Sequence, residues 1–420
     1  DEKGHNVEVA SIAYFDFDGM VDVRVISNKE RVNSVRVRPL SYKITPDCVG
    51  DTVTFSLSRP RNLSVEVNGD IFHNLHLFAN PIDKFRPSDK EIQRALKKKK
   101  GSNLIYFGPG VHNLPNDTLF VPSGTTVYID GGARVYGNIF TEGAHDVNIF
   151  GRGEVHPDGR GAGVWVRRSK NVRIDGIVVS QLPIGQCDSV ELTNVKSISY
   201  YGWGDGMDVF SSSNVILDGV FCRNSDDCAA VYASTQGFKG GSNNVLVKNA
   251  TLWADVAHPI NIGGHGDPNG MDTVQNVTFR NIDILDQAEK QIDYQGCLAI
   301  NPGDNTLVRN ITFENIRIED FRNGQLVNFR ISFNPKYCVS TGRGIQNVLV
   351  KDVTYNGSGE NLSIIAGYDE NHKISGIRFV NLVVNGRKIT DDMPGKPKWY
   401  KTGDMAGIFV GEHVENLSFE

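Results

Sequence analysis

One phrase governs the chain from Leu104 onward: Asn, a β-branched residue, a variable residue, an apolar residue, another variable residue, then Asn, Asp or Gly. It reads Asn171-Val172-Arg173-Ile174-Asp175-Gly176 and returns from Asn214, Asn244, Asn276, Asn310 and Asn347, with a weaker member at Asn194 and a looser copy near Gly376. The steps between these asparagines are 23, 20, 30, 32, 34 and 37 residues. Repeats of this length whose only regular content is short strands specify a β-solenoid, each coil pairing with its neighbours about 4.8 Å away. Leucine-rich repeats would need a Leu pattern and propeller blades about four strands per period; neither is present. The recurrent Asn is expected to be a stacked turn amide. That reading makes the Asn-x-Ser/Thr triplets at Asn276 and Asn310 structural, while those at Asn62, Asn116, Asn249 and Asn416 keep the form of glycosylation acceptors.

Composition agrees. The 420 residues include 44 Gly and only 16 Pro, a bias towards tight turns over Pro-rich linkers. Ahead of the repeat, residues 1–83 alternate with period two, as in Val21-Asp22-Val23-Arg24-Val25 and Leu63-Ser64-Val65-Glu66-Val67, and turn signals bound the runs. We therefore expect a small antiparallel β-sandwich over 1–83 and the solenoid over 84–420. Between them, Ser88 and Glu91 have the spacing of a capping box and predict one helix near 88–99, placed to cover the exposed first coil. The basic run Lys97–Lys100 would end that helix, where cations complement its dipole.

Charge narrows the partners. Forty-four Lys plus Arg face 49 Asp plus Glu, a formal net charge of −5, so no global field recruits nucleic acid or an anionic membrane. No run approaches the roughly 20 apolar residues of a membrane span. The start, Asp1-Glu2-Lys3-Gly4-His5, has no basic and apolar leader, and we expect an export segment to have been removed from a secreted or periplasmic protein. Six cysteines with no CxxC pair suggest buried free thiols, and the sequence calls for no cofactor and no metal.

Phase within the solenoid locates the chemistry. Asp205 lies eleven residues after Asn194, while Asp226 and Asp227 lie twelve and thirteen after Asn214. These three carboxylates should meet on successive coils, where mutual repulsion raises at least one pKa and can keep a general acid protonated. Glycoside hydrolysis with inversion uses such a pair, a protonated carboxyl and a water-activating carboxylate roughly 6.5 to 9.5 Å apart, and adjacent coils are expected to supply that spacing. The same aspartates could instead cap turns or hold Ca²⁺.

Gly204-Asp205-Gly206 followed after 21 residues by Asp226-Asp227-Cys228 resembles the polygalacturonase family, glycoside hydrolase family 28, whose signature is Asn-Thr-Asp, Asp-Asp-Cys, Gly-His-Gly and Arg-Ile-Lys. The chain also resembles the dextranase and isopullulanase family, glycoside hydrolase family 49, in which a β-sandwich precedes the solenoid. The likeness implies an all-β, right-handed parallel β-helix of the pectin-lyase-like kind and an inverting hydrolase of poly- or oligosaccharides. It implies Asp226 as general acid, with Asp205 and Asp227 binding and activating the water. His258-Pro259-Ile260-Asn261-Ile262-Gly263 fits the third motif better than Gly264-His265-Gly266, so His258 is expected near the acid and His265 on a neighbouring loop. Two positions depart from the family pattern. Trp203 replaces the motif's Asn, and Ala299-Ile300-Asn301 stands where Arg-Ile-Lys would hold a galacturonate carboxylate. Without that bidentate Arg a neutral sugar or an atypical uronide is expected. Trp203, Tyr294, Asn301 and both histidines are the candidate sugar contacts; Tyr200, Tyr201, Tyr232 and Trp253 lie near the acids in sequence. A non-catalytic carbohydrate-binding β-helix, and a uronate lyase or epimerase, are the competing functions.

Overall fold

The computed structural model describes residues 7–29, 31–97, 101–157, 159–358 and 360–420. The start Asp1–His5, and Lys98, Lys99 and Lys100 of the basic run, lie outside the described residues. The chain forms two compact units, Asp1–Arg86 and Pro87–Glu420.

The first unit packs two sheets over one core that includes Val53, Leu63, Val65 and Leu77. Period-two alternation places those side chains inward. One pairing departs from the all-antiparallel expectation: Ser11–Phe17 runs parallel to Leu75–Pro81. These are the first and last strands of the unit, so the whole unit serves as their crossover where a hairpin would force antiparallel pairing.

The second unit opens with a helix, Asp89–Leu96. Ser88 Oγ accepts from the Glu91 N–H, and the Ser88 N–H donates in return to Glu91 Oε2 at 2.8 Å. Lys97 is the helix C-cap, and the helix lies against the first coil strand, Leu104–Phe107. From there 29 strands join in one hydrogen-bonded network, almost wholly parallel, wound as a right-handed β-helix. Each coil contributes to three faces. The asparagine face includes Ser213–Asp218 and Ser242–Lys248, and the middle face Phe221–Asn224 and Thr251–Ala254. The third face, called here the cleft face, includes Met207–Phe210, Ala229–Tyr232, Ile260–Ile262, Leu298–Ile300 and Val327–Arg330.

The repeated phrase has two physical causes. The Asn sits at positive φ, 57° at Asn214 and 56° at Asn244, Asn276, Asn310 and Asn347, a left-handed conformation that Asn tolerates better than most residues. Its amide then bonds along the axis: Asn214 to Asp188 at 2.7 Å, Asn244 to Asn214 at 2.7 Å and Asn310 to Asn276 at 3.1 Å. Gly376 takes the same backbone position at φ +73°, which explains the looser copy. The apolar residue that follows points inward and stacks in register, Val190 on Val215, then Val245, Val277, Ile311, Val348 and Ile377. Burying each such side chain stabilises the coil by roughly 1.5–3 kcal/mol.

Candidate active site

The cleft face alternates as a half-buried strand must. Met207 and Val209 enter the core, while Asp208 and Phe210 point outward and line a cleft of about 480 Å³, within the usual 300–1,000 Å³ of small-ligand sites. Asp205 and Asp226 also line it. Both come from loops that connect the middle face to the cleft face, one coil apart.

Backbone contacts lock these loops together. The Gly206 N–H donates to the Asp227 carbonyl at 2.7 Å, and Asn224 Nδ2 donates to the Asp205 carbonyl at 3.2 Å. Gly206 cannot carry a side chain, since a Cβ would stand 2.2 Å from the Cys228 carbonyl oxygen. This clamp draws Asp205, Asp226 and Asp227 to within 4.8 Å of one another, measured between one oxygen of each. That is tighter than the 6.5–9.5 Å expected from coil spacing with diverging side chains, because converging loops carry the acids. Spacing therefore does not choose between inversion and retention.

Asp227 lies beneath the cleft surface, and four donors reach it. The His258 N–H and Nδ1 reach Oδ1 at 3.0 and 2.7 Å; the Tyr232 hydroxyl and Asn261 Nδ2 reach Oδ2 at 2.6 and 2.8 Å. Burial opposes its ionisation, but the adjacent His258 and these donors outweigh burial and hold the carboxyl at about 2. Four donors fill the usual acceptor sites of a carboxylate, so Asp227 is a fixed anion. Asp208 behaves oppositely. It is 3% exposed, and burial, followed by the charges of Asp227 and Asp226, pushes its carboxyl well above the usual range; it hydrogen-bonds Asp205. The carboxyl that burial and crowding keep protonated is thus Asp208, which is not among the carboxylates that phase within the solenoid picks out. An Asp inside the apolar run Met207–Phe210 was the available signal.

The remaining candidates divide. His258 is fully buried and does not line the cleft; it packs edge-on against Tyr294 at 4.5 Å and bonds Asp227. His265 lines the cleft, edge-on to Tyr232 at 5.0 Å, and burial lowers its pKa. Trp203 and Tyr294 line the cleft too. Trp203 is 54% exposed and is held at φ +64°, a strained conformation for a bulky residue, while Gln181 Nε2 donates to its carbonyl at 2.8 Å. Asn301 is not among the lining residues; its amide donates to Asn328 Oδ1 at 3.0 Å. Tyr201 and Tyr232 belong to the cleft, Tyr200 is exposed beside Tyr201, and Trp253 is buried under the Arg223 guanidinium. Arg160, Trp165, Gln181 and Tyr337 complete the walls and come from coils that carry no motif.

Two groups among the described residues bring three possible metal donors within 4.8 Å of one another: the Asp205, Asp226 and Asp227 set, and His265 with Asp304 and Cys338. In the first, the donors on Asp227 compete with an ion. In the second, burial pushes the Cys338 thiol up to about 12, and its Sγ lies 3.3 Å from the Gly264 carbonyl.

The family model for Glycosyl hydrolases family 28 matches residues 164–391, which hold every acid described above. A polygalacturonase from Juniperus ashei is 26% identical over 295 residues, covering 62% of this chain and 54% of that protein. The chain spans about half the length of the curated relatives it matches. Among solved structures, Dex49A from Penicillium minioluteum aligns with a TM-score of 0.59 and 14% identity over 97% of this chain and 83% of its own. The Yersinia enterocolitica family 28 exopolygalacturonase aligns at 0.55 and 13% identity over 87% and 85%. At such identities the structural likeness shows the fold alone.

Proposed function

The chain belongs to glycosyl hydrolases family 28, and from that premise we propose that it hydrolyses O-glycosidic bonds of a poly- or oligosaccharide with inversion at the anomeric carbon. The observation that carries the reading is the convergence of Asp205, Asp226 and Asp227 within 4.8 Å in an aromatic-walled cleft.

Asp226 protonates the leaving oxygen. Asp205 takes the proton of the attacking water, because the oxygens of Asp227 are already occupied by four donors. Asp227 stays ionised and fixes His258, Tyr232 and Asn261 around the site. Asp208, whose ionisation burial and the neighbouring carboxylates suppress, hydrogen-bonds Asp205 and holds it in place. General acid and base assistance of this kind contributes about 10²–10⁴-fold to a rate.

The substrate is a neutral sugar chain or an atypical uronide. Ala299 and Asn301 supply no cation, and the one guanidinium among the lining residues, Arg160, donates to the Gly202 carbonyl at 2.6 Å. Trp165, Tyr201, Trp203 and Tyr294 offer faces or edges for pyranose rings. A secreted or periplasmic location suits such a substrate. The test is digestion of α-glucans, galacturonans and rhamnose-containing pectins, with proton NMR of the first-formed anomer. Inversion is expected. Net retention would overturn the water mechanism, and tight binding with no product from any glycan would replace the hydrolase with a binding protein.

A further inference from the structure

The groove over the cleft face does not run through. The acids, Trp203 and Tyr294 rise from loops on one side, those leading from the middle face onto the cleft face. Segment 332–343 leaves the opposite side, after strand Val327–Arg330. Its root is tied to its own wall: the Val339 and Ser340 N–H groups donate to Asp304 Oδ1 at 2.8 and 3.2 Å. Its tip reaches the far wall. Lys336 Nζ donates to Gln291 Oε1 at 3.2 Å, the Tyr337 ring stacks on Tyr294 at 5.2 Å, and it meets Trp203 edge-on at 6.4 Å.

Tyr337 thus carries the segment across the groove to the Trp203 and Tyr294 rings of the far wall. Val327–Arg330 lies four coil steps beyond Met207–Phe210, which is about 19 Å at the strand spacing, so the segment arches back along the axis as it crosses. A sugar chain lying on the cleft face must follow the coil axis, and segment 332–343, which enters from the C-terminal side of the acids and reaches back to Trp203 on the Asp205 loop, stands in its way. Between the coil of the Asp226 loop and that of the Tyr294 loop are two coil steps, about 10 Å. On the other side Trp165 and Pro183 continue the cleft wall towards earlier coils.

We propose that segment 332–343 is a strap that turns the groove into a blind pocket, so that the enzyme trims sugars from a chain end or from short oligosaccharides. Tyr337 is the residue that sets this mode. The proposal rests on the hydrolase reading given above and adds the mode of attack.

The test follows product size and viscosity on a glycan of the panel that the parent cleaves. One small product from the first minutes, with viscosity falling slowly as reducing ends accumulate, is expected; an early ladder of lengths overturns the strap. In the Lys336→Ala/Tyr337→Ala double variant products should become mixed in length and viscosity should fall several-fold faster per bond cut. An unchanged pattern there also overturns it. If the parent cuts nothing, it is the hydrolase reading that fails, and the strap is then read by acrylamide quenching of Trp203, isolated by difference from Trp203→Phe. Tyr337→Ala should raise that quenching towards the level of a fully exposed tryptophan, and no change would overturn the strap itself.

Discussion

Tyr232→Phe isolates the electrostatics that hold the site. The hydroxyl gives Asp227 Oδ2 a 2.6 Å hydrogen bond and the ring stacks on Phe210 at 5.8 Å, so Phe keeps the packing and removes that donor, while Asn261 Nδ2, which also donates to the hydroxyl at 2.9 Å, keeps its bond to Asp227. Hydrogen bonds to charged groups are worth about 1.5–3 kcal/mol. At 1.36 kcal/mol per pKa unit, that loss would raise the Asp227 carboxyl from about 2 by roughly one to two units, back towards its ordinary 3.8. A depressed carboxylate pKa contributes stability that is present above the unfolded value and lost as pH falls through the folded one. The variant should therefore be less stable by about 1.5–3 kcal/mol at pH 7, and the gap should shrink by pH 3 and close only below pH 2. The Tyr232 phenol itself is pushed well up by burial and stays neutral throughout, so it adds no titration of its own. Urea midpoints of parent and variant at pH 7 and pH 3 make the measurement. A gap of equal size at both would refute the reasoning.

Asp208→Asn removes a carboxyl whose ionisation is suppressed, and a raised pKa costs stability as pH climbs above the unfolded value. The variant should melt at the parent's temperature at pH 4 and several degrees higher at pH 8, with activity within about tenfold; a loss as deep as that expected for Asp226→Asn would make Asp208 the general acid. Gly206→Ala forces a Cβ to within 2.2 Å of the Cys228 carbonyl and 2.6 Å of Asn224 Oδ1. Overpacking of this kind costs about 1–3 kcal/mol, and because it pries apart the loops of Asp205 and Asp227, kcat should fall at least 10-fold in protein that circular dichroism shows to be folded. Retained kcat would mean the clamp does not set the geometry.

Much of this could be read from the chain because the repeat is both a backbone and a packing rule. Asn214, Asn244 and their copies need positive φ and offer an amide, and the residue after each must fill the core, so periodicity gave the coils, their phase placed Asp205, Asp226 and Asp227 together, and the motif likeness added His258. Phase could not give side-chain convergence, which depends on the contacts of Gly206 and Asn224 and made the acids closer than coil spacing implied. Asp208 escaped because outward alternation along one strand is invisible when both flanks are buried. The match of Asn301 to the Lys of Arg-Ile-Lys was positional, and in the fold its amide is spent on Asn328. Tyr337 lies outside every repeat on a long loop, and no local pattern announces which wall such a loop will reach.

The most direct measurement is the initial rate of Asp226→Asn against the parent on whichever glycan of the panel the parent cleaves. Asn keeps the shape and cannot protonate the leaving oxygen, so the rate should fall by about 10²–10⁴-fold while the melting temperature holds within a few degrees. A folded Asp226→Asn that cleaves at the parent's rate would contradict the assignment of this cluster as the catalytic centre.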